Sequence, residues 1–186
     1  GNVTALGFGE TNQASLDNVG EVDTYTFEAL VGDKIFLYMT TRSILIDPHI
    51  QLYDPDGTPV VSAYKNPGPG AASLTVTTAK SGTYTALALD YGLGGTEVGE
   101  YAIYAQRLNN PQKTVPLSFG EMVSTSLDQV GNIDTYTFEA LSGDVILVRM
   151  STSTFLDPML FLYAPDGAEM SSYAKDPGPG FVEFVT

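Results

Sequence analysis

Across 186 residues, 22 acidic against 8 basic side chains leave a net charge of −14, a surface that repels phosphate backbones and excludes nucleic-acid binding through a basic footprint. The absence of cysteine excludes thiol catalysis, thiolate metal sites and disulfides. With 43% apolar and 16% charged residues the chain has the composition of one that folds, and no apolar run reaches the length of about 18 residues that a membrane span needs.

Taken in chain order, period-two alternation is the dominant signal. In DTYTFEAL, 23–30, Tyr25, Phe27 and Ala29 fall on one face and Thr24, Thr26 and Glu28 on the other, as a half-buried strand requires. KIFLYMTT (34–41), HIQLY (49–53), PVVSA (59–63), ASLTVTT (72–78), TYTALALD (83–90) and EYAIYAQR (100–107) read the same way and are rich in β-branched and aromatic residues. VGDK, DPDG, NPGPG and KSG punctuate them as turns. No window carries apolar residues at helical spacing. The fold class read from this pattern is all-β: antiparallel, jelly-roll-like β-sandwiches.

The chain repeats itself. VDTYTFEAL at 22–30 returns as IDTYTFEAL at 133–141, an offset of 111 that also pairs LGFGE (6–10) with LSFGE (117–121) and SLDNVG (15–20) with SLDQVG (126–131). After one residue is dropped the offset becomes 110, pairing LYDPDG (52–57) with LYAPDG (162–167) and KNPGPG (65–70) with KDPGPG (175–180). A period this long duplicates a whole domain and is not a solenoid turn. The expected organisation is a first sandwich over 1–110, a proline-flanked linker at 111–116, and a second sandwich over 117–186 that lacks its C-terminal strands. A sandwich short of two strands leaves a row of unpaired N–H and C=O groups, which is a template for another chain.

Few residues carry candidate chemistry. In DPDG, Asp54 and Asp56 offer hard oxygen ligands, and Asp47 and Asp90 complete a candidate calcium set; the other reading of DPDG is an Asx-stabilised turn, and Ala164 replaces Asp54 in the second copy. His49 is the single histidine, its counterpart is Met159, and no serine lies in a G-x-S-x-G elbow. GLGG at 92–95 lacks the strand-to-helix setting of a phosphate loop. No catalytic residue, no required cofactor and no zinc ligand set follow, so the chain reads as non-enzymatic. The PGPG loops suit a surface connector or contact point, and the 11 tyrosines, placed mostly at alternating strand positions, read first as packing. Asn2-Val3-Thr4 is a sequon, which makes Asn2 a glycosylation candidate and glycans candidate partners.

The set formed by Asp23 to Phe27, Ala29 to Asp33, Asp47 to Gly57 and Gly82 to Thr85, repeated in Asp134 to Phe138, Ala140 to Asp144 and Leu156 to Gly167, resembles the bacterial pre-peptidase C-terminal domain. That resemblance covers nearly all of both copies. It implies a non-catalytic extracellular or cell-surface module, and collagenase relatives of similar fold bind collagen and calcium. The functional expectation is a structural subunit of a surface fibre or sheath, a head-to-tail homopolymer built by completing sandwiches between subunits, with the missing strands supplied either by a neighbouring chain or by later residues of the same polypeptide; the alternative is a secreted module that binds carbohydrate or protein.

Overall fold

The computed structural model describes residues 3–92, 95–153, 156–174 and 180–186, and divides into two compact units, Gly1–Thr137 and Phe138–Thr186. The chain is all-β, as its alternation requires, and among the described residues no helix is long and apolar enough to cross a membrane.

In the first unit two sheets share one core. One has the order β1 (Val3–Ala5), β3 (Val22–Ala29), β8 (Gly82–Asp90), β5 (Pro48–Tyr53), β6 (Pro59–Tyr64); the other runs β2 (Glu10–Leu16), β9 (Gly99–Arg107), β4 (Lys34–Thr41), β7 (Gly70–Thr77). Among these nine strands only the β1–β3 pair is parallel. Alternation decides what goes inside. From β4, Ile35, Leu37 and Met39 are fully buried, and from β8 come Tyr84, Ala86 and Ala88. The small alanines leave room for Ile50 and Leu52 of β5 and for the Phe27–Tyr84 stack, whose centroids are 5.7 Å apart. Each fully buried Ile, Leu or Met side chain contributes about 1.5–3 kcal/mol through the apolar surface it removes from water.

The repeated D-x-Y-x-F element has a visible purpose in this core. Asp23, Tyr25 and Phe27 lie on one face of β3, and the Tyr101 hydroxyl of β9, in the opposite sheet, donates to Asp23 Oδ2 at 2.6 Å and lies 2.7 Å from the Tyr25 hydroxyl. Burial, the Asp23 carboxylate and Tyr25 together push the Tyr101 phenol far above its ordinary pKa, so it stays a neutral donor. Tyr101→Phe is expected to lower the unfolding free energy by about 1–3 kcal/mol in urea titration, since it removes the bridge and leaves the partner oxygens short of a donor. The A-L-x-G-D element works locally: the Leu30 N–H donates to Asp33 Oδ2 at 2.8 Å, and one repeat later the Leu141 N–H donates to Asp144 Oδ2 at 2.8 Å.

Beyond β9 the chain lies back on the first sandwich. β10 (Thr114–Pro116) pairs in parallel with β11 (Thr135–Thr137), with Thr114 opposite Thr135 as Val3 is opposite Thr24. This segment rests on the outer face of the β2–β9–β4 sheet. Gln13 Nε2 donates to the Val130 carbonyl at 2.8 Å, Thr11 Oγ1 to the Gly131 carbonyl at 3.3 Å, and Gln106 Nε2 to Thr135 Oγ1 at 3.1 Å, while the Tyr104 hydroxyl is 2.8 Å from Thr135 Oγ1. Residues 111–116, read as linker, thus include β10, and the Gln112 N–H donates to Gln106 Oε1 at 3.1 Å.

Among the described residues of the second unit β12 (Leu147–Thr152) pairs with β15 (Gly180–Val185), and β13 (Met159–Tyr163) with β14 (Glu169–Ala174). The registers match those of the first unit: Thr152 faces Gly180 as Thr41 faces Gly70, and Met159 faces Ala174 as His49 faces Tyr64. Even the irregularity at Leu52/Tyr53 recurs at Leu162/Tyr163. The stretch 121–127, aligned with β2, forms no strand, and β11 is three residues long where β3 has eight. β2 and β3 pair with β9 and β8, and no residue of 1–186 aligns with those two strands.

Candidate functional site

The four carboxylates proposed as calcium ligands fall into two pairs at opposite ends of β5. Asp54 and Asp56 form the β5–β6 turn, where Asp54 Oδ1 accepts the N–H groups of Asp56 and Thr58 at 2.9 Å each. Both carboxylates are gripped by Lys80 Nζ, at 2.5 and 2.6 Å, and the hydrogen bond from Lys80 is the main cause of Asp54 titrating below the usual carboxylate range. The equivalent turn forms without that aspartate. The Gly167 N–H donates to the Ala164 carbonyl at 2.8 Å, and Asp166 Oδ1 accepts from the Ala168 N–H at 2.9 Å.

Asp47 and Asp90 lie at the other end of β5, about 23 Å from Asp54 at the rise of an extended strand. The β5–β8 pairing sets Pro48 opposite Asp90, so Asp90 Oδ1 accepts the Asp47 N–H at 2.8 Å. Asp47 Oδ1 in turn accepts the N–H of Gly68 in the PGPG loop. Oδ2 atoms of both carboxylates would stand 3.3 Å from a Cβ at Gly92, so the two acids converge on that glycine. Among the described residues no group of three or more His, Cys, Asp or Glu side chains is placed to hold a metal ion. Asn2 lies outside the described residues, as do Leu93 and Gly94 of the GLGG stretch and 175–179 of the second PGPG loop.

Beside this pair stands an aromatic corner that sequence reasoning missed. His49, buried on β5, lies nearly perpendicular to the rings of Tyr91 and Tyr64, with centroids 5.2 and 6.0 Å away. Tyr64 and Tyr91 lie face to face with centroids 3.7 Å apart and planes within 4°. His49, Asp90 and Tyr91 also wall a cleft of about 280 Å³ completed by Gly20, Glu21 and Val22. Glu21 Oε2 is committed to the N–H groups of Asp17 and Asn18, at 2.7 and 2.8 Å. Register alone assembles the corner, because His49 is opposite both Tyr64 and Leu89, two residues before Tyr91.

Burial pushes His49 below its ordinary value of 6.5. The unfolded chain therefore takes a proton that the folded chain refuses, and stability falls as the pH drops below about 6.5 toward the folded value. His49→Gln is expected to flatten the stability-versus-pH profile in that window and leave it unchanged above pH 7, measured by urea titration across the series. Among the described residues, the rings packed against the imidazole are those of Tyr64 and Tyr91.

A second distinctive surface is the open side of the second unit. Ile146, Val148 and Met150 correspond to the fully buried Ile35, Leu37 and Met39, yet all three are only half-buried, while Leu147 and Val185 are exposed. The edge of β12 that corresponds to the β9 side of β4 carries no partner strand among the described residues, and the same holds for the β8 side of β13.

No family model and no curated protein sequence matches the chain. Solved structures do resemble it. The pre-peptidase C-terminal domain of a Bacillus anthracis collagenase is 16% identical, with 56% of this chain and 95% of that one covered at a TM-score of 0.47. CorA, a surface-associated copper-binding protein of Methylomicrobium album, is 9% identical over 57% and 98% at 0.47, and PliG of Salmonella Typhimurium, a periplasmic inhibitor of g-type lysozyme, is 20% identical over 57% and 98% at 0.40.

Proposed function

We propose that the protein is a non-enzymatic structural subunit of an extracellular or cell-surface fibre or sheath, built from tandem pre-peptidase-like sandwiches over 1–110 and 117–186. In this reading strands of the β8 and β9 type, supplied from outside residues 1–186 by another copy of the polypeptide or by later residues of the same one, are laid along β12 and β13. The observation that carries it is the half-buried Ile146, Val148 and Met150 row beside an open ladder edge, at positions whose first-unit counterparts are fully buried. A period-two strand such as GEYAIYAQR satisfies both needs at once, because its backbone continues the ladder and its alternate side chains cover the apolar row. Addition of this kind joins unlike surfaces and leaves the assembly open-ended.

The surroundings of His49 support a non-catalytic reading, with two aromatic rings against the imidazole.

The test is electron microscopy and light scattering of the protein as isolated from its source, combined with hydrogen exchange of β12. Fibres or large open assemblies, in which the β12 amides that point away from β15 are protected while they are labile in the dissociated 19.8 kDa chain, are expected. A monodisperse monomer in which those open-edge amides are already protected overturns the reading.

A further inference from the structure

The Tyr64–Tyr91 pair is not absorbed by the assembly reading, and its geometry is unusual. Aromatic rings prefer offset or edge-to-face packing to a parallel sandwich. Here the planes are within 4° at a centroid distance of 3.7 Å, and the hydrogen bond that the Tyr91 hydroxyl gives to Tyr64 is the main cause that raises the Tyr91 phenol. Tyr64 is 53% exposed and Tyr91 40%, so a diffusing oxidant can reach both. By contrast Tyr25, Tyr84, Tyr101 and Tyr104 are buried in the sandwich. The two phenols stand on different elements: Tyr64 closes β6, an edge strand, and Tyr91 follows β8 two strands away in the sheet order.

We propose that Tyr64 and Tyr91 are a site of oxidative cross-linking, joined through a carbon–carbon bond between their rings as an intramolecular dityrosine. The oxidant is a peroxide acting through a haem peroxidase. Each phenol gives up one electron and one proton, and the two phenoxyl radicals couple at carbons ortho to the oxygens. Each ring then regains aromaticity as the hydrogen on its coupled carbon moves to its oxygen, so the net change is the loss of two hydrogens, which reduce one peroxide to two waters. Preassembly favours the step, because holding two reactants in contact replaces a bimolecular encounter by a unimolecular one. Partial exposure leaves the rings free to swing edge to edge as the bond forms. The product ties the edge strand β6 to the end of β8 in a chain that has no cysteine and so no disulfide to do this. The pair belongs to the first repeat alone, since Ala174 aligns with Tyr64.

Tyr173, 55% exposed, is the internal control: it is as accessible as Tyr64 and lies in the second unit. The experiment treats the dilute, full 186-residue chain with horseradish peroxidase and hydrogen peroxide, then reads intact mass, dityrosine fluorescence and the cross-linked peptides of a digest. The expected result is a monomer about two mass units lighter whose digest joins the Tyr64 and Tyr91 peptides. Tyr64→Phe and Tyr91→Phe each abolish that monomeric product, with unchanged folding by circular dichroism. Coupling confined to Tyr173 in dimers, random coupling among tyrosines, or no dityrosine at all overturns the proposal. None of these outcomes depends on whether the protein forms fibres.

Discussion

Ile35→Ala and Met39→Ala are each expected to lower the stability of the first unit by about 2–5 kcal/mol, whereas Ile146→Ala and Met150→Ala, the same residues one repeat later, cost under about 1 kcal/mol in the dissociated chain. The contrast isolates context, because residue type and strand are matched. Ile35 and Met39 are fully buried on β4, which is hydrogen-bonded on both sides, to β7 and β9, and faces the sheet that carries Tyr84 and Ile50. Truncation there loses the transfer free energy of the removed carbons and leaves a cavity whose walls are held by two ladders. Met150 stands on β12 and Ile146 immediately precedes it, bonded to Thr186; among the described residues β12 has a ladder on one side, and both side chains are half-buried. Water already wets part of their surface, so less is lost and no sealed cavity forms.

Hydrogen exchange resolved by residue assigns each loss to its unit, which a single melting curve of a two-unit chain cannot do. Under the completion reading the penalty at Ile146 is expected to rise, in the assembly, into the range found at Ile35, because a strand laid on β12 would bury the row. If Ile146→Ala is already as costly as Ile35→Ala in a monodisperse solution, the apolar row is covered without a partner and the completion reading fails.

How much of this was legible in the sequence follows from what alternation encodes. Although β6 is mostly exposed and β9 is buried on both faces, period-two runs rich in β-branched and aromatic residues make the seven strands β3 to β9 readable. β1 and β2 are not. VTA is too short to show a period, and ETNQASL is polar at an edge, with only Leu16 fully buried; its seven pairings with β9 are what make it a strand. Alternation also says nothing about which strand pairs with which. Asp47 meets Asp90, and Tyr64 meets Tyr91, only because β5 lies between β6 and β8, a crossover from sequence order. Asp54 and Asp56, adjacent in the sequence to a turn signal, proved to be gripped by Lys80, 24 to 26 residues away. No local pattern announces that partner. The sequence repeat, by contrast, carried information beyond single residues: equal offsets place equal registers, down to the irregularity after Leu52 and Leu162.

The second large effect is expected at Gly131. Both Gly20 and Gly131 end the same SLD-x-VG element and adopt the same left-handed backbone, with φ of 76° and 72°. Alanine is strained in that conformation by about 1–2 kcal/mol at either site. The surroundings differ. A Cβ on Gly131 would stand 2.7 Å from the Ala102 Cβ and 2.8 Å from Thr40 Cγ2, whereas at Gly20 nothing lies within 4 Å. Ala102 is central in β9 and Thr40 lies on β4, so neither can withdraw without moving a ladder. Overpacking of this kind adds about 1–3 kcal/mol. Gly131→Ala therefore forces 130–137 off the sheet, breaking the bonds from Thr11, Gln13 and Gln106, while Gly20→Ala costs only the backbone strain. Exchange of the β11 amides reads the difference. They should become labile in Gly131→Ala and stay protected in Gly20→Ala, and equal behaviour of the two variants would mean that the segment is not held on the outer sheet face in solution.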